Sequence, residues 1–255
     1  MKELFNKYKK YLPFAILIVF IACRPTFNDS TLPQVHISLA EQYFQHVGEK
    51  SKPIHGIDVS YDQGDIDWKK VMQTDVSFVY LKATDGITYT DPTFHRHMSV
   101  LDKQKVLLYG AYHFFEAEDD PEKQAENYIQ QVSDYSLQLS PMVDVEVTKD
   151  QDPEEIQKRL KIFSEAIEMA TGCLPIIYSY RSFWDLDIGP SFDQHIFWLA
   201  DYAKKIDAPT SVKKLILWQY SETGVVNGIS GPVDLDVIMS GEDGLKNILC
   251  KNNKH

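Results

Sequence analysis

The sequence predicts an α/β fold, an irregular TIM-like (β/α) barrel of about eight strands with fewer than eight full helices. Three observations carry this expectation. Short apolar runs recur between His55 and Ile238 and alternate with stretches of helical periodicity, as strands and crossover helices do in a closed barrel rather than in a doubly wound sheet. The spacing tightens in the second half, where Asp201 to Leu215 and Tyr220 to Val233 leave too little chain for full helices, hence the irregularity. The composition is that of a globular protein: 255 residues, 44% hydrophobic and 25% charged, which excludes a disordered, collagen-like or multi-span membrane chain. The net charge of −11 also argues against nucleic acid as a partner, because displacing counterions from phosphates needs the opposite sign.

The elements follow in chain order. Residues 1–23 read as a signal peptide or membrane anchor: Lys2, Lys7, Lys9 and Lys10 precede an apolar run, Leu12 to Cys23, shorter than the ~20 residues of a spanning helix. Ala22 before Cys23 is similar to a bacterial lipoprotein cleavage site, although Phe20 and Ile21 are bulky for one. A lipidated protein, a cleaved and released one, and an uncleaved anchor all remain open; each is exported to the cell envelope or beyond, with a membrane as partner in two of the three. Residues 24–53 form a polar linker with one short helix at Leu39–Val47, and the barrel occupies 54–250.

The strand candidates are His55–Val59, Val76–Ala83, Val106–Phe115, Pro141–Val147, Pro175–Ser179, His195–Asp201, Leu215–Tyr220 and Val233–Ile238. Asp120-Pro121-Glu122 opens one helix, with Ala125, Tyr128, Ile129 and Val132 at helical spacing. Asp152-Pro153-Glu154-Glu155 opens another, with Asp152 as N-cap and Glu155 closing a capping box. Ile156, Leu160, Phe163, Ile167 and Ala170 form its apolar face, and Gly172 ends it. Cys173 and Cys250 belong to no metal-ligand spacing; in an exported chain a disulfide and two separate thiols both remain open.

The chemistry gathers on acidic strand ends. In Val143-Asp144-Val145-Glu146-Val147 the valines share one face and the two acids the other, so a barrel that packs the valines under its helices aims both carboxylates inward, near the rim where barrel sites lie. Neighbouring carboxyls in a low-dielectric place push their pKa values apart, so that one can hold a proton while the other stays ionised. Asp58 ends one apolar run, and Asp234 and Asp236 share a face of another, so several carboxylates converge on one mouth. That suggests glycoside hydrolysis or a metal site. His113 is the one well-placed histidine, and without HExxH or His-x-His it is expected to hydrogen-bond neighbouring acids or fill space; no metal and no cofactor is expected. No GxSxG is present. Tyr112, Tyr178, Trp198, Tyr202, Trp218 and Tyr220 lie on or beside the same strands and are candidates to stack on sugars, Tyr112 and Tyr178 first.

These motifs in their order resemble glycoside hydrolase family 25, the bacterial and phage-type lysozymes (N-acetylmuramidases). The resemblance rests on His55-Gly56-Ile57-Asp58-Val59-Ser60, Gln63-Gly64-Asp65-Ile66-Asp67-Trp68, Gly110-Ala111-Tyr112-His113-Phe114, Asp144-Val145-Glu146, Ile177-Tyr178-Ser179, Trp198-Leu199-Ala200-Asp201-Tyr202, Trp218-Gln219-Tyr220 and Val233-Asp234-Leu235-Asp236. It implies cleavage of the β-1,4 bond between N-acetylmuramic acid and N-acetylglucosamine, with peptidoglycan glycan strands as partner and a monomeric enzyme. It makes Glu146 the proton donor, Asp144 the neighbour that tunes it and stabilises developing charge, and Asp58 and Asp234 the remaining cleft acids. Asp236 stands where the family often has Asn, Asp85 where a longer Glu is commoner, and Tyr61-Asp62 where the pair is more aromatic or contains His. Two alternatives stay open: a glycosidase on another N-acetylated glycan such as chitin, and a catalytically silent peptidoglycan-binding lipoprotein.

Overall fold

A computed structural model describes residues 52–203 and 205–250. The signal or anchor segment, all but the last residues of the polar linker, and the short helix at Leu39–Val47 lie outside the described residues.

All eight expected runs are strands, and one short strand joins them. They are β1 (Ile54–Val59), β2 (Val76–Asp85), β3 (Tyr89–Thr90), β4 (Leu108–Phe114), β5 (Met142–Asp144), β6 (Ile176–Tyr180), β7 (Phe197–Ala200), β8 (Leu215–Gly224) and β9 (Val233–Ile238). Pairing closes a ring in the order β1-β2-β4-β5-β6-β7-β8-β9, with β9 returning to β1. Every pairing from β1 round to β8 is parallel, whereas β9 runs antiparallel to both of its neighbours. β3 lies outside the ring, as a hairpin folded back on the end of β2. The ladder of β5 stops at Asp144, short of the expected Val147, so Glu146 stands on the loop just beyond the strand.

The helices are α1 (Trp68–Val71), α2 (Phe94–Gln104), α3 (Pro121–Val132), α4 (Pro153–Thr171) and α5 (Gly241–Ile248). At the start of α3, Asp120 accepts hydrogen bonds from the backbone N–H groups of Glu122 and Lys123, as its sequence signal requires. The capping box expected on α4 does not form. Asp152 makes no side-chain cap, and Glu155 instead accepts from Arg159 at 2.8 Å and Lys158 at 3.3 Å. Gly172 ends α4 with φ 73°, while Ala170, expected on its apolar face, is exposed. Between β6 and β7 the crossover helix is replaced by short turns, Arg181–Phe183, Trp184–Ile188 and Gly189–Phe192.

Alternation along each strand sorts side chains into two cores. Ile57, Val79, Leu81, Tyr109, Val143, Val145, Leu199, Trp218 and Val237 pack outward under the helices, while Phe78, Tyr80, Tyr112, Met142, Tyr178, Trp198, Leu217 and Ile238 fill the barrel interior. Two glycines make room for the interior rings: a Cβ on Gly56 would sit 2.3 Å from the Phe78 ring, and one on Gly110 2.5 Å from that of Tyr80. Ile248 of α5 joins the interior cluster from below, and a disulfide ties Cys250 just after α5 to Cys173 just after α4, with Cα atoms 5.7 Å apart. That settles the question left open between a bridge and two thiols.

Candidate active site

Strand direction places the acids. Asp58 lies near the C-terminal end of β1, and because β9 is antiparallel, Asp234 near its start pairs directly with Asp58 at the same rim. Asp144 ends β5 opposite Phe114 of β4 and Tyr178 of β6, and Glu146 follows it. Asp58, Asp144, Glu146 and Asp234 thus meet at one mouth, each within electrostatic range of another. Below them Asp236, opposite Gly56 and Gln219, is completely buried.

Burial sets the protonation of this group, since desolvation disfavours the charged form of every carboxyl. Burial, and then the Asp58 charge, raises Glu146 to about 7, against a downward pull from Asp144 and Lys82. Asp144 is driven well above the usual carboxylate range by burial and then by Glu146. Asp234 rises to about 8, through burial and then through Asp58. Asp58 rises only to about 6, because burial is opposed first by Gln219, whose amide Nε2 donates to Asp58 Oδ2 at 2.7 Å. The Gln219 amide is itself held in register: its Oε1 accepts from Tyr178 Oη at 2.8 Å and from Tyr202 Oη at 2.7 Å. Lys82 brings positive charge to the β5 side, paired with Asp85 at 2.8 Å and lying 4.9 Å from the Phe114 ring centroid.

The aromatic candidates divide. The Tyr112 and Tyr178 side chains point inward among the acids and are 8% and 7% exposed, and Tyr202 stands open on the rim at 50%. Trp198 is closed off inside the barrel, packed edge-on against Tyr80 at 5.0 Å and Tyr178 at 5.8 Å, and has no surface to offer a sugar. Trp218 and Tyr220 point the other way, into the helix-side core, where the Trp218 indole donates to the Asp201 carbonyl. His113 also faces outward. It bonds Thr84 Oγ1 and Gln124 Oε1 rather than any acid, stacks on Phe163 at 4.8 Å, and is lowered to about 4 by burial, so it is neutral. Sequence reasoning named none of Gln219, Lys82 and the exposed Tyr89 and Tyr180 as site residues, although it marked Tyr61-Asp62 as a departure at the cleft edge, where Tyr61 stands exposed. For Gln219 the available signal was its place two residues beyond Leu217, on the inward face of β8.

Carboxyls that keep protons near neutrality, beside one held ionisable by an amide, in a barrel mouth rimmed with tyrosine, define a carboxylate-based glycoside hydrolase. The model of Glycosyl hydrolases family 25 matches residues 57–229. The chain is 33% identical over 186 residues to the autolytic lysozyme of Clostridium acetobutylicum, covering 73% of this chain but only 56% of that protein. It is 34% identical over 192 residues to the uncharacterized protein YegX of Escherichia coli, covering 73% of this chain and 70% of the other. A family 25 glycosyl hydrolase structure from Bacillus anthracis superposes with a TM-score of 0.70 at 29% identity, covering 76% of this chain and 93% of that one. The chain belongs to glycosyl hydrolase family 25 and is a glycoside hydrolase of the lysozyme type.

Proposed function

We propose that the protein is an N-acetylmuramidase that hydrolyses the β-1,4 bond between N-acetylmuramic acid and N-acetylglucosamine in peptidoglycan, with Glu146 as proton donor. The observation that carries this reading is the meeting of Asp58, Asp144, Glu146 and Asp234 at one end of a family 25 barrel. Glu146, raised to about 7, holds its proton at a working pH just below neutrality and delivers it to the departing glycosidic oxygen. The positive charge that develops on the sugar ring needs an ionised acid nearby. Sequence reading gave that role to Asp144; we assign it instead to Asp58, because the Gln219 amide donates to Asp58 and favours its charge, whereas one oxygen of the buried Asp144 has no hydrogen-bond partner. Asp144 and Asp234 then serve as neutral donors.

Tyrosines on opposite sides of the mouth, Tyr61 and Tyr89 near β1 and β2 and Tyr180 and Tyr202 near β6 and β7, favour a chain-like substrate with rings to stack. The relative from Clostridium acetobutylicum, named an autolytic lysozyme, supports peptidoglycan as that substrate. We place the enzyme in the cell envelope, exported by residues 1–23 with 24–53 as tether; the Cys173–Cys250 bridge suits an oxidising compartment.

The test is mass spectrometry of fragments released from purified sacculi, with chitin oligomers in parallel. The wild type should release fragments with N-acetylmuramic acid at the reducing end, and Glu146→Gln should release none while still unfolding cooperatively. Release from chitin alone would overturn the substrate, and release by Glu146→Gln would overturn the donor.

A further inference from the structure

The barrel floor holds an acid that the proposed chemistry does not use. Asp236 is completely buried, and neither of its carboxyl oxygens lies within ordinary hydrogen-bond distance of a partner; Asp58 and the indole N–H of Trp198 both approach it, the first disfavouring and the second favouring its charge. Asp58 on β1 and Asp234 on β9 are its acidic neighbours, the Tyr80 phenol on β2, which donates to the Ser140 carbonyl, lies within electrostatic range, and uncharged Trp198 and Gln219 approach from β7 and β8. No cation reaches it from these elements. A carboxylate so placed would be desolvated and next to a second negative charge, with only the neutral indole N–H of Trp198 to favour it, an arrangement that neutralises by keeping a proton. As a protonated carboxyl it has a hydrogen to donate and Asp58 nearby to accept it, on the side of Asp58 away from the mouth.

We infer that Asp236 is a positioning residue that stays protonated at the working pH and holds Asp58 ionised from below, as Gln219 does from β8. This rests on the reading of Asp58 as the ionised acid of the proposed reaction. An asparagine here would present a neutral donor as well, but only the acid can lose its proton. Burial and the charges of Asp58 and Asp234 push Asp236 well above the usual carboxylate range, in agreement.

Two isosteric variants test this. Asp236→Asn keeps a donor and should retain kcat/KM within about twofold near neutrality. Its melting temperature should match the wild type near pH 4 and exceed it increasingly towards pH 8, since only the wild type must hold a proton against the solvent. Asp236→Leu removes the donor and should move the acid limb of the kcat/KM profile on sacculi upward by about one pH unit, roughly a tenfold loss below the limb. A pH-independent difference in melting temperature for Asp236→Asn, or an unmoved acid limb for Asp236→Leu, overturns the assignment. Should Asp236→Leu fail to fold, Asp236→Asn decides alone. The melting measurement needs no substrate, so a wild type that releases nothing from sacculi refutes the proposed function and still leaves Asp236 tested.

Discussion

At the scale of single residues, burial and neighbouring charge hold the clustered acids at different protonation states, and a pH dependence follows. On the proposed mechanism, activity needs Asp58 ionised, which happens above about 6, and Glu146 protonated, which fails above about 7. The kcat/KM profile on sacculi should therefore be a narrow bell centred between those values, with its alkaline limb lost in Glu146→Gln along with the activity. Gln219 should matter more than a neutral amide suggests. Its hydrogen bond to a buried carboxylate is worth ~1.5–3 kcal/mol, so Gln219→Leu should lower kcat/KM about ten- to a hundredfold and move the acid limb upward. Tyr202→Phe, which leaves Tyr178 to hold the amide, should change the same quantities less. The acids were legible in the sequence because alternation on a strand with one apolar face tells which residues travel together. Trp198 and Trp218 were not, because alternation does not give depth or say which face turns inward. Their strands place one tryptophan in the interior and the other under the helices, and neither reaches the mouth.

At the scale of elements, strand existence was readable and strand direction was not. Eight apolar runs bounded by turn residues became eight ring strands, yet nothing in Val233–Ile238 marks it as the antiparallel one. Direction here follows from the connection: Ser221 to Val233 is too short for a crossover, so the chain turns back as a hairpin. The capping box on α4 failed for a similar reason. Glu155 had a stronger partner in Arg159, which also reaches the carbonyls of Glu118 and Asp119 and so clamps the start of α4 to the loop before α3. At the opposite end, the Cys173–Cys250 bridge fastens α5 beneath the barrel, and Ser140 N–H bonds the Ile248 carbonyl beside it. Replacing both cysteines by serine should cost ~2–4 kcal/mol in denaturant unfolding, because the bridge closes a long loop, while leaving the position of the pH bell unchanged.

At the scale of the whole molecule, the acid cluster is a burden on stability. Asp58, Glu146 and Asp234 all bind protons more tightly when folded than when unfolded, with values raised to about 6, 7 and 8. Below about pH 4 the folded and unfolded chains are both protonated at these positions and the cluster costs nothing through them; as the pH rises from there to about 8, the unfolded chain gives up protons that the folded one retains, and stability falls. The wild type should therefore melt highest in mildly acidic buffer and progressively lower up to pH 8, a slope that Glu146→Gln and Asp234→Asn should each flatten.

The reversal of β9 also governs when this enzyme can first cut anything. Asp58 belongs to the opening strand of the barrel and Asp234 to the closing one, and they become neighbours only where the ring is sealed. A chain still emerging from the ribosome has Glu146 and Asp144 in hand but lacks the strand that completes their surroundings. Fragments ending before Val233 should be inert on sacculi, and adding back a peptide that spans Val233–Ile238 is a direct way to ask whether sealing the ring switches the chemistry on.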